Sequence, residues 1–316
     1  MCPNECVMED GQRSRCRTRM NKNGVLFSLV YVKPCAVHVD PIEKKPLFHF
    51  LPGTTAFSIA TAGCVLSCKF CQNWQISQAK PEDTDTYDLP PDRVVSQAIH
   101  YKCKSVTYTY TEPTVFYEYM YDTSVIARKQ GIKNTMHSCG YIKDKPLRKL
   151  CKYMDAADID LKAFTEDFYA RTCGGSLKPV LNSLALLKEE GVWVEITNLV
   201  IPTLNDDSKN IREMSRWIVR NLGTDVPLHF SRFFPNYKLT NLPPTPLETL
   251  TEARKTAMDA GLKFVYIGNI RHEGESTFCP KCKKLLIERA GYYVKENNVS
   301  LGKCKFCGAH ISGVWS

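Results

Sequence analysis

Residues 61–74 read TAGCVLSCKFCQNW and directly follow a β-rich run, Ala56–Thr61. They contain Cys64, Cys68 and Cys71 in the pattern C-x3-C-x2-C, and no fourth cysteine lies near this loop. Iron–sulfur clusters are held by thiolates, usually four of them. Three thiolates on a four-iron cluster leave one iron open, which a catalytic metal site needs and a structural site avoids. The loop therefore predicts a catalytic [4Fe–4S] cluster, with an incomplete zinc site as the alternative.

An amino acid can chelate an open iron through its amine and its carboxylate, and S-adenosylmethionine (SAM) is such a ligand. One electron passed into its sulfonium breaks a carbon–sulfur bond and yields a 5′-deoxyadenosyl radical, chemistry that belongs to the cofactor. We therefore expect an oxidoreductase-type enzyme that cleaves SAM reductively, and whose radical abstracts hydrogen from an unidentified substrate.

Strand-like and helix-like patterns alternate on both sides of this loop, from residue 51 to about residue 270. Such alternation predicts a parallel sheet with right-handed crossovers. Six units with a trailing strand are too few to close an eight-unit barrel, so we expect an open, partial (β/α)6 TIM-like barrel with its chemistry at the strand ends. The predicted strands are Ala56–Thr61, Ser105–Tyr110, Lys133–His137, Ala157–Leu161, Val192–Ile201, Leu228–Phe233 and Phe264–Ile267, and the predicted helices include Pro91–Tyr101, Pro113–Gln130, Ser176–Glu190, Ser208–Asn221 and Pro246–Ala260.

Polar side chains follow the carboxyl ends of several predicted strands. Glu112 and its neighbour Thr111 can accept hydrogen bonds from the amine or the ribose of SAM, although a carboxylate at a helix N-terminus is the alternative for Glu112. Asp160 and Lys162 share one face of the fourth strand, where they suit a zwitterionic ligand or form a structural ion pair. Further candidate cofactor contacts are Phe70, Ser138 and Asn198, and His229, Ser231 and Arg232 are candidate contacts with SAM or substrate.

The C-terminal segment 273–316 differs in character from the barrel. It carries two C-x2-C pairs separated by 21 residues, which is typical of a zinc ribbon with a closed, structural shell. An iron site has the same spacing. We expect a three-part chain: an N-terminal extension (1–50), the barrel core (51–272) and a zinc-ribbon-like module (273–316). The module is expected to bind a structural zinc or iron ion through Cys279, Cys282, Cys304 and Cys307.

The chain has 15 cysteines and no apolar leader, which favours metal chemistry over disulfides and a cytoplasmic location. Cys2, Cys6 and Cys16 form a further group, either a metal site or a remnant of one. The scattered cysteines are expected to be small buried side chains. They are Cys35, Cys103, Cys139, Cys151 and Cys173.

The net charge of +9 is only mildly basic once metal-bound thiolates are counted, and no block of lysine and arginine stands out. We therefore do not expect nucleic acid as a partner. No apolar run is long enough to span a membrane. A zinc-ribbon binding module with a vestigial cluster is the alternative class, but a binding module does not need an open iron.

The three-cysteine motif resembles the signature of the radical SAM superfamily. Longer segments resemble the AmmeMemoRadiSam system radical SAM enzymes, relatives of pyruvate formate-lyase activating enzymes. These segments include HVDPIEKKPLFHFLPG (38–53), TYTEPT (109–114), DIDLKAF (158–164) and HFSRFFPNYKLTNLPPTP (229–246). Cys139 departs from the family pattern, since many relatives have asparagine there, and Phe234 stands where relatives often have histidine.

The resemblance implies an electron donor of the flavodoxin or ferredoxin type, and Memo-like and AMMECR-like partner proteins. The likeness to activating enzymes also implies an alternative role, in which the substrate is a protein that receives a glycyl radical.

Overall fold

The computed structural model describes residues 1–316, and its centre is one eight-stranded sheet. An N-terminal hairpin of β1 (Arg19–Lys22) and β2 (Val25–Ser28) precedes the sheet. The sheet begins with β3 (Ala36–Pro41), which pairs antiparallel with β4 (Thr55–Ala60). Parallel strands follow in chain order: β5 (Ser105–Tyr108), β6 (Lys133–Ser138), β7 (Ala156–Asp160), β8 (Trp193–Val200), β9 (Leu228–Arg232) and β10 (Val265–Gly268).

Helices connect the parallel strands. Asp207 caps the helix after β8, because its Oδ1 accepts a hydrogen bond from the Asn210 amide at 2.9 Å. Gly131, Gly191 and Gly261 follow helices with φ of 72°, 76° and 113°, the left-handed region that ends a helix. The helices are α1 (Trp74–Ser77), α2 (Pro91–His100), α3 (Tyr117–Lys129), α4 (Asp144–Cys151), α5 (Glu166–Phe168), α6 (Lys178–Glu189), α7 (Ser208–Asn221) and α8 (Leu247–Asp259).

The sheet stays open, because β3 at one edge does not pair with β10 at the other. This confirms the predicted partial barrel of parallel strands. The antiparallel strand β3 was not predicted, since His38 and Val39 are exposed and the segment lacks the apolar pattern of a buried strand.

The gap between the two edges is filled by residues 42–50 and by the C-terminal module. Phe48 packs with Tyr266 of β10 and with Ile287 of the module in one apolar cluster. Burying side chains of this size contributes about 1.5–3 kcal/mol each. The extension therefore contributes both an edge strand and packing to the barrel, while the division of the chain at residues 50 and 272 stays a prediction.

The C-terminal module is a small antiparallel unit. Its three-stranded sheet consists of β11 (Thr277–Phe278), β12 (Leu285–Ala290) and β13 (Tyr293–Asn297), and β14 (Val299–Ser300) pairs with β15 (Lys303–Cys304). After these strands, Val314 forms an isolated β-bridge with Phe50. None of the helices combines the length and the apolar character needed to cross a bilayer.

Candidate active site

A cavity of about 450 Å³ lies at the carboxyl ends of the parallel strands. Residues at or just after each of the seven strands β4–β10 contribute to its wall. The structure thus brings residues from distant parts of the chain to the place where parallel α/β folds carry their chemistry. Among the predicted site residues, the cavity is lined by Cys64, Cys68, Phe70, Cys71, Thr111, Glu112, Ser138, Asp160 and Lys162.

The loop with the three cysteines follows β4 and is held by backbone hydrogen bonds. The amide of Ser67 donates to Cys173 O, and that of Lys69 donates to Thr172 O, each at 2.9 Å. Cys64 Sγ accepts a hydrogen bond from the Leu66 amide at 3.4 Å. The Sγ atoms of the three cysteines do not all lie within 4.8 Å of one another, so they are not gathered around a single ion.

The three thiols differ in acidity. Burial raises the pKa of Cys64 and of Cys71. The pKa of Cys68 is lowered, chiefly by a hydrogen bond with the thiol of Cys173 and despite burial. Cysteine binds iron as a thiolate. The positive charge of the iron would therefore have to offset the rise in pKa that burial causes at Cys64 and Cys71.

Glu112 is a buried carboxylate with no cationic partner. Its Oε1 accepts hydrogen bonds from Thr114 Oγ1 at 2.6 Å and Ser138 Oγ at 2.8 Å, and its Oε2 accepts one from the Cys139 amide at 2.8 Å. It also caps the short 3₁₀ helix at 113–116, so the helix-terminus alternative describes part of its role. A buried negative charge without an ion pair is costly. A bound ammonium would offset this cost, and the residues present therefore fit the amine of SAM.

Lys162 and Asp160 form an ion pair of 2.8 Å beside Glu112 and the cysteines. The pair extends inward, because His137 Nε2 lies 3.5 Å from Asp160 and His137 Nδ1 donates to Asp158 at 2.5 Å. Burial opposes protonation, yet Asp160 and Asp158 raise the pKa of His137 to about 10. Burial also raises the pKa of Asp158 to about 6, although the charge of His137 opposes this.

Asn198 is not brought to the cavity. Its side chain is buried on the helix side of β8, donates to Leu161 O at 2.7 Å, and lies 3.7 Å from Met214 Sδ on α7. Its neighbours Thr197 and Leu199 line the cavity instead, as the alternation of a strand requires. The role of Asn198 as a cofactor contact stays a prediction without geometric support.

The predicted polar residues of β9 also divide into those that line the cavity and those that do not. His229 and Ser231 line the cavity, whereas Arg232 Nε donates to Thr245 O at 2.8 Å and does not. The sequence interpretation missed His137, although its position at the end of a predicted strand could have indicated it. It also missed Tyr292, which reaches the cavity from the C-terminal module and has no local signal.

The four C-terminal cysteines come together as one group. The Sγ atoms of Cys279 and Cys307 are 3.7 Å apart, and those of Cys282 and Cys304 are 3.8 Å apart. A tetrahedral ion with metal–sulfur bonds of about 2.3 Å places its ligands about 3.8 Å from one another. The geometry fits a single bound ion, and it is too tight for a multi-iron cluster.

The cavity of this open barrel is lined by three thiols and by a buried carboxylate that suits an amine. This combination is typical of an iron–sulfur enzyme whose cofactor is derived from an amino acid. Residues 58–215, half of the chain, match the model of the Radical SAM superfamily. The chain belongs to the radical SAM superfamily, and it is accordingly an enzyme whose family implies a [4Fe–4S] cluster and SAM.

The chain is also similar to several individual proteins. An uncharacterized protein of Methanocaldococcus jannaschii is 49% identical over 98% of this chain and 93% of its own length. The pyruvate formate-lyase-activating enzyme of Clostridium pasteurianum is 24% identical over 51% of this chain and 67% of its own length, so the chain is related to such activating enzymes. A radical SAM methyltransferase from Sphaerobacter thermophilus shares the fold, with a TM-score of 0.55, 15% identity, and coverage of 70% of this chain and 68% of that one.

Proposed function

We propose that this enzyme binds SAM in the cavity between the three-cysteine loop and β7, and uses it to abstract hydrogen from a substrate held nearer β8–β10. One observation carries the proposal: Cys64, Cys68, Cys71 and the unpaired carboxylate of Glu112 open into the same cavity. When bound, the cluster supplies one electron that splits SAM and releases the 5′-deoxyadenosyl radical.

The residues of the chain orient the cofactor. Glu112 accepts a hydrogen bond from the ammonium of SAM, since Thr114 and Ser138 hold its carboxylate in place and it forms no ion pair within the chain. Lys162 pairs with the SAM carboxylate, because Asp160 fixes its ammonium group within the cavity. The ring of Phe70 lies 5.7 Å from Lys162 Nζ and is buried, so it shields this pair from water.

The substrate side of the cavity is formed by different parts of the chain. Ser231 and Asn269 stand at the ends of β9 and β10, and Asn269 Nδ2 donates to Ser231 Oγ at 2.9 Å. Lys44 of the extension and Tyr292 of the module complete the wall. This side offers both hydrogen-bonding groups and an aromatic face to a substrate.

The test is anaerobic reconstitution with iron and sulfide, followed by dithionite and SAM. We expect formation of 5′-deoxyadenosine, and its loss in Cys68→Ala. The matched control is Cys35→Ser, which removes a scattered thiol and should leave product formation unchanged. Product formation that survives Cys68→Ala would contradict the proposal.

Activation of a glycyl-radical protein is a second candidate, supported by the similarity to the activating enzyme of Clostridium pasteurianum. Its substrate would be a protein, and the product would be a glycyl radical in that protein. The reaction with candidate partner proteins should then give a glycyl signal in electron spin resonance. The resemblance to the AmmeMemoRadiSam family supports Memo-like and AMMECR-like proteins as the first candidates to add to the reaction.

The electron donor we propose is an acidic carrier of the flavodoxin or ferredoxin type. Lys69 is exposed between Cys68 and Cys71, and the amide of the exposed Lys238 donates to Lys69 O at 2.9 Å. These two ammonium groups stand next to the cluster loop and suit a negatively charged partner. Lys69→Glu with Lys238→Glu should slow reduction by such a carrier at low salt, and leave reduction by dithionite unchanged.

A further inference from the structure

Three consecutive ionisable residues form a part of the cavity wall that the proposed binding of SAM does not use. Glu43, Lys44 and Lys45 all line the cavity. They lie within the segment HVDPIEKKPLFHFLPG (38–53), and two of them are buried. Charged groups at a largely closed wall need ion-pair partners or a ligand, so their contacts indicate what this part of the cavity binds.

Asp40 of β3 holds both lysines. Its Oδ1 accepts a hydrogen bond from Lys44 Nζ at 2.9 Å, and its Oδ2 accepts one from Lys45 Nζ at 2.6 Å. The hydroxyl of Tyr110 also donates to Oδ2. Both lysines line the cavity and Asp40 does not, so the carboxylate fixes two ammonium groups at the wall.

Lys45 is a buried ammonium with few partners. Its side chain is 2% exposed, and Asp40 is the only acceptor in hydrogen-bond contact with Nζ. The ring of Tyr110 lies 4.3 Å from Nζ and offers a cation–π contact. An ammonium carries three donors, so Lys45 retains the capacity to donate to a further acceptor. An unused donor on a buried charge is costly, and an oxyanion in the cavity would offset that cost.

The ion pairs of residues 43–45 leave one positive charge without a partner. The two lysines share Asp40. Glu43 Oε1 lies 3.8 Å from Nε of the fully buried Arg289, so its charge is offset from outside the cavity. Three cations therefore stand against two carboxylates, and this part of the wall favours a negatively charged ligand.

The anchor of the two lysines is distant from the loop of the cluster. Asp40 pairs with Ala56 near the amino end of β4, whereas the three-cysteine loop follows Ala60 at the carboxyl end. Four residues of a strand span about 13 Å. Lys162, which we propose for the SAM carboxylate, follows β7 at the carboxyl end of the sheet. The cavity thus offers two cationic positions, of which SAM needs one.

We propose that the substrate carries an oxyanion, either a carboxylate or a phosphate, and that this group binds Lys45 and Lys44. The inference rests on the proposed function, because it names the class of substrate for the same cavity. Two neighbouring ammonium groups suit an oxyanion, since each can donate a charge-assisted hydrogen bond to a different oxygen.

The test measures how well anions protect Lys44 from acetylation in the reconstituted full chain. The protein is kept unreduced with saturating SAM, so that the cofactor position is occupied and no SAM is cleaved. Inorganic phosphate and acetate are titrated separately at constant ionic strength, with chloride as the balancing ion. Acetylation by N-hydroxysuccinimidyl acetate is followed for each lysine by peptide mass spectrometry.

We expect phosphate or acetate to slow the acetylation of Lys44, while that of the exposed Lys255 on α8 stays unchanged. The anion that protects at the lower concentration identifies the acid group as a phosphate or a carboxylate. Lys45→Met should raise the half-protecting concentration at least about tenfold. Lys45→Arg keeps a cation and should keep the protection, and Lys255→Met is the control with the same change in net charge.

The proposal would be overturned if neither anion protects Lys44 beyond the effect of chloride. It would also be overturned by equal half-protecting concentrations in Lys45→Met and the unaltered chain, or by protection of Lys44 by SAM alone. A response of the electron spin resonance signal to SAM shows that a variant has folded, and if Lys45→Met has not, the titration of the unaltered chain decides. A chain that binds the anion but forms no 5′-deoxyadenosine on reduction would refute the proposed function and not this site.

Discussion

His229 Nε2 donates a hydrogen bond of 2.7 Å to Glu195 Oε2 in the interior of the barrel. The other oxygen, Oε1, accepts the amide of His49 at 2.7 Å. Glu195 thus ties two central strands, β8 and β9, to the segment that fills the gap in the sheet. Both side chains are almost fully buried, so this is the anchor of the extension inside the barrel.

Removing this carboxylate should destabilise the fold. Glu195→Ala leaves His229 and the His49 amide without an acceptor, and we expect a loss of about 3–5 kcal/mol in the free energy of unfolding. Urea denaturation checks this, with Glu195→Gln expected to lose less, since an amide oxygen can still accept. The control is Glu213→Gln on the exposed face of α7. An equal loss of unfolding free energy in Glu195→Ala and Glu213→Gln would contradict the prediction.

The contribution of His49 to the stability of the protein should fall on acidification. Its Nδ1 donates to Ser312 O at 2.7 Å and its Nε2 accepts from Tyr266, so the ring is neutral. Burial lowers its pKa to about 4, whereas the unfolded chain has a value of about 6.5. The unfolded chain binds this proton more readily than the folded chain does. The contribution of neutral His49 to the free energy of unfolding is therefore full above pH 6.5. It is lost as the pH falls toward 4, at up to about 1.4 kcal/mol per pH unit.

Unfolding midpoints measured between pH 7 and 4 test this dependence. His49→Gln should lower stability at pH 7 and flatten the pH profile. His100→Gln, at an exposed position, should keep the slope of the unaltered protein. A slope that is the same in His49→Gln would refute the assignment.

Glu112→Gln should weaken SAM binding and leave the cluster in place. The neutral amide keeps the acceptor for Ser138 but loses the charge for an ammonium, at a cost of about 1–3 kcal/mol, or roughly 5- to 150-fold in Kd. Titration of the reduced, reconstituted protein with SAM, followed by electron spin resonance, measures this. Iron content should be unchanged, and Glu248→Gln on the exposed face of α8 should bind SAM normally.

Gly63→Ala should separate the N-terminal segment from the cluster loop. Gly63 has φ of 91°, and an added Cβ would meet Thr18 Cγ2 at 2.4 Å as well as the backbone of Cys16. Gly191→Ala is the matched control, since it has a similar φ of 76° with nothing within 4 Å. We expect faster hydrogen exchange over residues 14–18 in Gly63→Ala only. Hydrogen exchange over residues 14–18 that is equal in Gly63→Ala and Gly191→Ala would contradict the prediction, because steric contact with Cys16 and Thr18 would then have no effect beyond backbone strain.

Removal of the ion from the C-terminal module should unfold it locally. Metal binding contributes about 10–16 kcal/mol in small zinc modules, and this one has a limited core of its own. Cys304→Ser, or a strong chelator, should raise hydrogen exchange in β12 while the central strands β6–β8 stay protected. A module that remains protected without metal would show that its packing on Phe48 and Tyr266 is sufficient.

The parallel strands and most helices of the barrel could be predicted, because a strand buried on both faces and an amphipathic helix leave local patterns. The helix predicted at 208–221 has those bounds in the structure. β3 and the β1–β2 hairpin could not be predicted, because their exposed apolar residues, such as Val25 and Phe27, follow no period.

Residues that line the cavity could be predicted where the chemistry resides in spacing, as in the three-cysteine loop, or at a strand end, as with Glu112 and Lys162. Asn198 shows the limit of that approach, since one step along a strand moves a side chain to the other face. Tyr292 and Lys44 show a second limit, because contacts between distant segments depend on how the open sheet is filled and leave no mark in the local sequence.

Tyr292 stands in the turn between β12 and β13, outside the barrel, and still borders the cavity. The strand ends that line the cavity and the turn that borders it are therefore encoded in separate stretches of the chain. Under the proposed function, substitutions in that turn would change which substrates the cavity admits while the strands that bind SAM stay as they are, so selectivity and reactivity could change independently.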